Sequence, residues 1–428
     1  HYVYMAKLYR KSDPAFADLM LWAWQSSGSG GGDGSYFGNP PLLFAQMEEA
    51  DLASAPAQTL TSRRLEGFGA VLRRNFDRDN EFYLLLKQGP GGYRYHRTEG
   101  SIILFANGRP LIHDGGEGGE TWRHSTLSFY DTHMPLAPGH VERFHSLPAL
   151  DFVQGVHPVA LKPGQPVFLS DACNHELVEV ALQRYHEPNP ADARSILAVQ
   201  GEYIVMHDEL RLEAGVPSFW HLQVVAHDET GNAADGYRFR GRFGTDLQVL
   251  FPGQTFTTDT VESHAILEYH QPVADRFAMR HLAVGGVQPD QYLAVLRPLA
   301  AGADPVVARA LRVGDRTCGV AVTGGEFRDH LFCRRAETVA FAADGIEFRG
   351  QYGALLRRPQ QTVLTLLAPG VLAGDRLRVE STGPAVQLVH SPAGTSLVAE
   401  GSGRICVRAG GQSLELELTG GRISLELP

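Results

Sequence analysis

Residues 101–112 read SIILFANGRPLI, and they carry the strongest short hairpin signal in the chain. Two short apolar runs flank Asn107-Gly108, the dipeptide that most strongly favours a two-residue turn between antiparallel strands. The stretch therefore predicts a β-hairpin. Further along the chain, the runs at 195–205 and 219–225 have the length and composition of additional strands.

The last part of the chain repeats this pattern at shorter spacing. From residue 338 to residue 428, short β segments are separated by glycine-rich turns, for example at 409–411 and 419–421. Turn signals at such short intervals are typical of a sandwich and not of βαβ units. Together with the hairpin, they predict a mainly β fold built from antiparallel β-sandwich domains.

The first 50 residues differ, because their spacing is helical. The apolar residues that recur at this spacing are Tyr2, Met5, Leu8 and Tyr9. Ser12-Asp13-Pro14 then predicts the end of one helix and the start of another. Two helices joined by so short a turn should pack antiparallel.

The length of 428 residues predicts more than one domain. The spacing changes from helical to alternating near residue 62 and becomes a series of short segments after residue 335. We therefore predict three regions: helices at 1–60, a large antiparallel β-sandwich domain at 61–335, and a small C-terminal β-sandwich domain at 336–428.

Composition argues against several classes of protein. The formal net charge of −10 argues against a nucleic-acid binder. The sequence has no run of 18 apolar residues, which argues against a membrane-spanning helix. The four cysteines are widely scattered, which argues against a thiolate zinc site, although a disulfide between Cys318 and Cys333 stays open. The chain begins at His1 inside a helical pattern, so we expect a processed or truncated protein whose leader is not visible.

The segments around the hairpin carry a more specific pattern. Residues 89–116 read GPGGYRYHRTEGSIILFANGRPLIHDGG, and residues 122–127 read WRHSTL. Together they resemble the first strands of the β domain in heparinase II/III-like polysaccharide lyases. That family has, in order, a glycine-rich approach, a histidine pair spaced H-x-H, a serine that opens a strand, a hairpin that ends in Asp-x-Gly, and an H-N-T-like segment. The corresponding residues here are His96, Ser101, Asp114-Gly115-Gly116 and His124-Ser125-Thr126.

A second resemblance covers residues 194–225, where SILAVQGEYIVMHDEL and SFWHLQVV are similar to paired strands of the family around an acidic D-x-L. Asp208 and His221 match that pattern, and we expect both to be buried structural residues. The resemblance implies the end of an α/α toroid at 1–60, followed by antiparallel β-sandwich domains.

The resemblance also implies a function. Members of the family cleave uronic-acid polysaccharides by β-elimination, so we expect a lyase that acts on a glycan of the alginate or glycosaminoglycan type. The expected partner is an anionic polysaccharide or oligosaccharide, bound in a cleft between the toroid and the first sandwich. We expect a periplasmic or secreted location, and a homo-oligomer stays open.

Three residues in this pattern suit a metal ion. The resemblance implies a structural zinc held by His96, Asp114 and His124, and zinc accepts two imidazoles with one carboxylate as ligands. From their spacing alone, the three residues are more readily interpreted as unrelated side chains at the ends of a hairpin. His96 has a second interpretation as a catalytic base, since its neighbour in the family motif has that role.

The motif is altered at that neighbour, because Arg94 stands where the first histidine of H-x-H is expected. Arginine is not a base near neutral pH, but it can bind a carboxylate through two parallel hydrogen bonds. Either Arg94 neutralises the uronate while a tyrosine moves the proton, or this homologue is inactive. The catalytic tyrosine of the family lies late in the toroid, which favours Tyr2 or Tyr4. The alternative for each is a tyrosine packed for structural reasons.

Four further residues are expected to bind the substrate, namely Tyr95, Arg97, Glu99 and Arg123. Glu99 would replace the acidic residue that the family has where this chain has Thr98. Residues 61–100 include eight Lys or Arg and five Asp or Glu. This excess of cations favours an anionic ligand, unless the charges belong to an ordinary strand surface.

Two other classes of function remain open. The first is a non-catalytic glycan-binding β-sandwich protein that has lost the catalytic histidine. The second is a glycoside hydrolase with two carboxylates, which we rank last because no carboxylate pair stands out. The chemistry of a lyase does not itself need a metal, so a bound zinc ion would be structural.

Overall fold

The helices and the strands of this chain lie in two compact units, His1–Leu60 and Thr61–Pro428. Strands dominate, which confirms the predicted mainly β fold. The structure is a computed structural model, and it describes residues 2–26, 56, 59–76, 79–89, 98–115, 120–130, 136–160, 162, 190–265, 277–287 and 290–427.

The first unit contains the two predicted helices, α1 (Tyr2–Tyr9) and α2 (Pro14–Ser26). Asp13 is the N-cap of α2, because its carboxylate accepts a hydrogen bond from the backbone N–H of Phe16 at 3.0 Å. The two helices pack through an apolar cluster of Ala6, Ala17 and Leu21. Among the described residues, no helix is both long enough and apolar enough to cross a membrane.

The second unit contains all of the strands found among the described residues. The first ten are β1 (Arg63–Leu65), β2 (Gly69–Arg74), β3 (Phe82–Lys87), β4 (Ile102–Ala106), β5 (Arg109–Ile112), β6 (Leu127–Phe129), β7 (His140–Leu147), β8 (Leu150–His157), β9 (Asp192–Val199) and β10 (Tyr203–Leu210). The next ten are β11 (Pro217–Val224), β12 (Ala226–Asn232), β13 (Gly236–Gly241), β14 (Asp246–Leu250), β15 (Thr257–Ala265), β16 (Phe277–Val287), β17 (Gln291–Leu299), β18 (Val307–Val313), β19 (Arg316–Thr323) and β20 (Arg328–Cys333). The last nine are β21 (Val339–Ala343), β22 (Ile346–Gly350), β23 (Tyr352–Arg358), β24 (Gln361–Leu366), β25 (Gly370–Gly374), β26 (Leu377–Ser381), β27 (Ala385–Ser391), β28 (Gly394–Ala409) and β29 (Gln412–Leu427).

These strands form three sheets with antiparallel pairing. Sheet 1 has the order β1-β2-β3-β4-β5-β11-β16-β15, and β6 also pairs with β11. Sheet 2 has the order β12-β13-β14-β17-β10-β9-β8-β7. Sheet 3 has the order β18-β19-β20-β23-β24-β27-β28-β26-β25-β22-β21, and β29 pairs with β28.

Sheet 2 is covered on both faces, which makes the architecture a set of stacked sheets. One core, shared with sheet 1, contains Trp220 from sheet 1 and Met206 from sheet 2. The other core, shared with sheet 3, contains Val205 from sheet 2 and Tyr352 from sheet 3. Successive side chains of a strand point to opposite faces. Strands β8, β9 and β10 are therefore buried along their whole length.

The predicted hairpin is present, with β4 and β5 joined at Asn107-Gly108. Both residues have positive φ, 52° and 65°. A type I′ turn needs this conformation at both central positions, and asparagine and glycine adopt it more easily than other residues. The local sequence therefore decides this connection without help from the rest of the fold.

The predicted turn at 419–421 is wrong, because β29 runs without a break from Gln412 to Leu427. Its two glycines have positive φ, and its partner strand has an irregularity between Glu400 and Ser402. Both strands therefore bend at the same level and continue. The predicted turn at 409–411 is confirmed, since it joins β28 to β29.

Sheet 3 begins at Val307, so the predicted boundary after residue 335 lies inside this sheet, between β20 and β21. The division into compact units does not separate residues after Thr61, and the two sandwich domains stay a prediction.

Cys318 and Cys333 are free thiols that belong to two different apolar clusters. The disulfide left open by the sequence is therefore not formed.

Candidate functional site

The candidate site lies on the outer face of sheet 1, which we define as the face that points away from sheet 2. Alternation along β11 puts Trp220 and Leu222 into the shared core and His221 and Gln223 on the outer face. Strand β16 pairs with β11 so that His281 lies opposite Gln223. All three polar side chains are buried. Other segments of the chain must therefore cover this face.

The segment 121–126 is fixed to β11 by hydrogen bonds. The backbone N–H of His221 donates to the carbonyl oxygen of Thr126 at 2.9 Å. The side-chain amide of Gln223 donates to the carbonyl oxygen of Trp122 at 2.7 Å. Buried polar groups need such partners. These bonds explain why an amide side chain is buried on this face.

Asp114 and His124, two of the three predicted zinc ligands, lie next to each other. Asp114 Oδ2 is 3.8 Å from His124 Nδ1, and two ligands of one tetrahedral zinc ion are roughly 3.3 Å apart. His124 is fully buried, whereas the Asp114 side chain is 29% exposed. The third predicted ligand, His96, lies outside the described residues. Within those residues, no group of three His, Cys, Asp or Glu is placed to hold a metal ion.

Gly115 allows Asp114 to approach His124. The backbone N–H of Gly115 donates to the carbonyl oxygen of Arg123 at 2.7 Å. A Cβ on Gly115 would lie 2.6 Å from the Cβ of Arg123 and 2.9 Å from its carbonyl oxygen, both too short for a real contact. A larger residue at 115 would therefore separate the two segments that carry the predicted ligands.

Arg123 lies beside this pair and is held by two contacts. Its Nε donates to Glu120 Oε2 at 2.8 Å, and its guanidinium carbon lies 4.4 Å from the centre of the Trp122 ring. Its terminal nitrogens make no hydrogen bond to a described residue. A planar guanidinium can bind a carboxylate through two parallel hydrogen bonds. This geometry suits the substrate-binding role predicted for Arg123.

Glu99, by contrast, does not have the exposure that substrate binding requires. Its carboxylate is buried and accepts hydrogen bonds from the ammonium group of Lys87, from the backbone N–H of Gly89 at 3.1 Å and from that of Gly139 at 3.2 Å. Protein donors thus occupy the oxygens that a sugar hydroxyl would need. In this structure the carboxylate joins the end of β3 to the chain before β7.

Glu99 belongs to a larger buried charge cluster at one end of sheets 1 and 2. The members of this cluster are Lys87, Glu99, His157, Asp192, Arg194 and Asp208, all of them buried. Arg194 donates to both oxygens of Asp208, at 2.6 and 3.0 Å. His157 Nδ1 lies 2.9 Å from Asp192 Oδ2. Burial raises the pKa of Asp192 to about 7 and lowers the pKa of His157 to about 4.

The excess of cations in residues 61–100 does not make an open positive surface among the described side chains. Four of these cations form ion pairs, which are Arg64–Glu66, Arg73–Glu81, Arg74–Asp151 and Lys87–Glu99. Their charge is therefore compensated by neighbouring carboxylates. In the described part of this region, the charges therefore form ordinary ion pairs and do not form a surface for an anionic ligand.

Several predicted site residues have no described position. Arg94, Tyr95, His96 and Arg97 all fall in 90–97, outside the described residues. Tyr2 is half exposed on α1, and Tyr4 also belongs to this helix. The catalytic roles of these residues, and the binding roles of Tyr95 and Arg97, stay predictions.

The structure adds a histidine pair that the sequence did not indicate as a site. His221 Nδ1 lies 3.0 Å from His281 Nε2, and His221 Nε2 lies 2.8 Å from Ser128 Oγ. His221 and Asp208 are both fully buried, as expected. His281 was missed because it belongs to no local motif and meets His221 only through the pairing of β11 with β16.

Comparisons with solved structures show which known proteins have a similar fold. No protein-family model matches the chain, and no curated protein matches it. A heparan sulfate lyase, HepC, from Pedobacter heparinus matches with a TM-score of 0.50 and 16% identity, over 73% of this chain and 47% of the lyase. A heparinase III with methylated lysines, the BT4657 gene product, matches with a TM-score of 0.50 and 14% identity, over 79% of this chain and 47% of its own.

A chondroitin AC lyase from Streptomyces coelicolor A3 matches 98% of this chain and 60% of its own, but its TM-score of 0.38 at 13% identity supports no conclusion. The chain spans about half the length of the first two lyases. At such identities the likeness establishes the fold alone. The chain thus shares a fold with polysaccharide lyases, as the sequence resemblance implied.

Proposed function

We propose that this chain is part of a polysaccharide lyase that cleaves a uronic-acid glycan, of the glycosaminoglycan or alginate type, by β-elimination. The observation that carries the proposal is the shared fold with a heparan sulfate lyase over 73% of the chain. The neighbourhood of Asp114 and His124 also supports it, because these two side chains are 3.8 Å apart and Arg123 is next to His124 in the chain.

β-Elimination needs a neutralised uronate carboxylate, a base for the C5 proton and a proton for the leaving oxygen. Arg123 suits the neutralisation of the uronate carboxylate, since its terminal nitrogens make no hydrogen bond to a described residue. Its side chain is held in place by contacts with Glu120 and Trp122. A second arginine, Arg94, would assist it. We keep Tyr2, Tyr4 and His96 as proposed proton carriers.

A zinc ion is part of this proposal, held by His96, Asp114 and His124. The fit of the described residues supports it: a partly exposed carboxylate faces a buried imidazole at 3.8 Å, which a small movement would bring to the spacing of two zinc ligands. When bound, the ion would supply a rigid crosslink between the end of the hairpin and the segment 121–126. No step of the reaction passes through it.

The proposal is tested by incubating the full-length protein with heparan sulfate, heparin, chondroitin sulfate and alginate. A lyase produces an unsaturated uronate, and the ultraviolet absorbance of its double bond should rise with one of these polymers. Arg123→Gln should lower that rate by 10-fold or more, since removing a charged partner of a buried or bound carboxylate costs several kcal/mol. Arg63→Gln, which changes an exposed arginine on β1, serves as the matched control.

A second candidate function is a non-catalytic glycan-binding protein. The substitution of the expected histidine by Arg94 favours it, because an arginine binds an anion without accepting a proton. Binding of a polymer without any rise in absorbance or in reducing ends would establish this alternative. Either function would place the protein where polysaccharides are found, in the periplasm or outside the cell.

A further inference from the structure

Three side chains on the outer face of sheet 1 form a chain of hydrogen bonds. Ser128 Oγ lies 2.8 Å from His221 Nε2, and His221 Nδ1 lies 3.0 Å from His281 Nε2. Ser128 and His221 are fully buried, whereas His281 is 7% exposed. This series of hydrogen bonds therefore begins at a buried serine and ends at a histidine that is slightly exposed at the surface.

The two imidazoles are fixed relative to each other. A neutral imidazole has one donor and one acceptor nitrogen, so all hydrogens of the chain must point in the same direction. Burial lowers the pKa of His281 to about 4, so its ring is neutral near pH 7. Its Nε2 is engaged by His221, and its Nδ1 makes no hydrogen bond to a described residue. When Ser128 accepts a hydrogen bond from Nε2 of His221, Nδ1 of His221 accepts one from Nε2 of His281. Nδ1 of His281 then carries no hydrogen and can accept a proton.

Trp122 connects His281 to the rest of the site. The centre of its ring lies 5.5 Å from that of His281, and the guanidinium carbon of Arg123 lies 4.4 Å from the same ring. The indole thus lies next to both the imidazole and the guanidinium. The carboxylate of Asp259 on β15 acts on His281 electrostatically and favours the protonated ring, but burial has the larger effect.

We infer that His281 is the proton acceptor of the site, held in its accepting tautomer by His221 and Ser128. The inference rests on the proposed function and supplies the imidazole that the altered motif lacks at Arg94. The C5–H bond of the uronate breaks and its proton passes to Nδ1 of His281, while the electron pair forms the C4–C5 double bond. The C4–O bond breaks, and the leaving oxygen takes a proton from water. The imidazolium then releases its proton to solvent.

The anionic substrate itself favours this step. An opposite charge within a few ångströms stabilises a protonated imidazole, so a bound uronate raises the proton affinity of His281. His221 assists, because its Nδ1 accepts the hydrogen bond that the charged ring donates. Arg123, next to the same indole, would hold the carboxylate that makes the C5 proton acidic.

The first experiment compares His281→Gln with His145→Gln on the polymer that the wild type cleaves. Glutamine keeps a hydrogen-bonding group near His221 but cannot accept the proton. His145 on β7 is a matched control, because burial also lowers its pKa to about 4 and it lies in sheet 2. We expect His281→Gln to lower kcat by about 10²- to 10⁴-fold with little change in KM. A wild-type kcat in this variant would overturn the inference and leave the lyase proposal intact.

The second experiment uses nitrogen NMR of the histidine rings, which needs no turnover. Near pH 7 the His281 ring should be neutral, with its hydrogen on Nε2 and none on Nδ1. Ser128→Ala should change the tautomer of His221. Addition of a heparan sulfate tetrasaccharide should shift Nδ1 of His281 and leave His145 unchanged. A bound tetrasaccharide that does not move the His281 signal would overturn the inference. If the wild type neither cleaves nor binds any of the polymers, the proposed function fails first.

Discussion

His157 Nδ1 lies 2.9 Å from Asp192 Oδ2, and both side chains are fully buried. The buried charge cluster around them has three carboxylates and two permanent cations, so one more proton is needed for neutrality. An uncompensated buried charge is costly. Because burial raises the pKa of Asp192 to about 7 and lowers that of His157 to about 4, the proton resides on Asp192 at mildly acidic pH.

We expect Asp192→Asn to gain stability relative to the wild type as the pH rises. Unfolded Asp192 loses its proton at about pH 4 and folded Asp192 at about pH 7. Between these values the folded wild type binds more protons, so its stability falls with rising pH, by at most about 1.4 kcal/mol per pH unit. Asparagine does not titrate and removes this loss. The free energy of unfolding in urea, measured at pH 5 and pH 8, checks the prediction.

His157→Gln is the control with the opposite sign. The folded pKa of His157 is about 4, below its unfolded value, so the wild type gains stability from this residue as the pH rises from about 4 to about 6.5. The variant lacks this gain. A difference between Asp192→Asn and wild type that is the same at pH 5 and pH 8 would contradict the assignment of the proton to Asp192.

We predict that Glu99→Gln destabilises the protein by about 3–5 kcal/mol, because the ammonium group of Lys87 is left buried without its partner charge. Replacing both residues, as in the double variant Lys87→Met with Glu99→Gln, should cost less than the single change. Glu66→Gln, which breaks an exposed ion pair with Arg64, should change stability by no more than about 1 kcal/mol. Equal effects of Glu99→Gln and Glu66→Gln in chemical denaturation would refute a structural role for Glu99.

Gly115→Ala should disturb the candidate site, because its Cβ would lie 2.6 Å from the Cβ of Arg123. Inserting a methyl group into a closed contact costs about 1–3 kcal/mol and moves the backbone. Gly325→Ala is the matched control, since a Cβ at that position meets nothing within 4 Å. Thermal unfolding and lyase activity of both variants check the prediction. Full activity of Gly115→Ala would indicate that the contact of Asp114 with His124 is not needed.

We expect the purified protein to contain about one zinc ion per chain, and Asp114→Asn and His124→Gln to lose it. His113→Gln should keep the ion, although His113 Nδ1 lies 3.7 Å from Asp114 Oδ1. Elemental analysis gives the metal content directly, and a chelator should lower the Tm of the wild type but not that of Asp114→Asn. Zinc retained in the variant that combines Asp114→Asn with His124→Gln would show that the ion binds elsewhere.

Local features of the fold could be predicted because they depend on neighbouring residues. The turn at Asn107-Gly108 needs two residues that accept positive φ, and the start of α2 needs the carboxylate of Asp13. Features that depend on strand pairing were predicted less well. The turn at 419–421 is replaced by a bend in a continuous strand, because its partner β28 bends at the same level.

The mainly β fold class and the hairpin between β4 and β5 could be predicted from the amino-acid sequence alone. The grouping of Asp114 and His124 at a zinc ion stays a prediction of the family resemblance. Which polar side chains are buried together became clear only from the three-dimensional structure. Glu99 was expected to face a substrate, but it pairs with Lys87 inside the protein. His281 meets His221 through the register of β11 and β16. Such contacts join residues that are distant in the chain, and strand register is a property of the whole sheet and not of any local pattern.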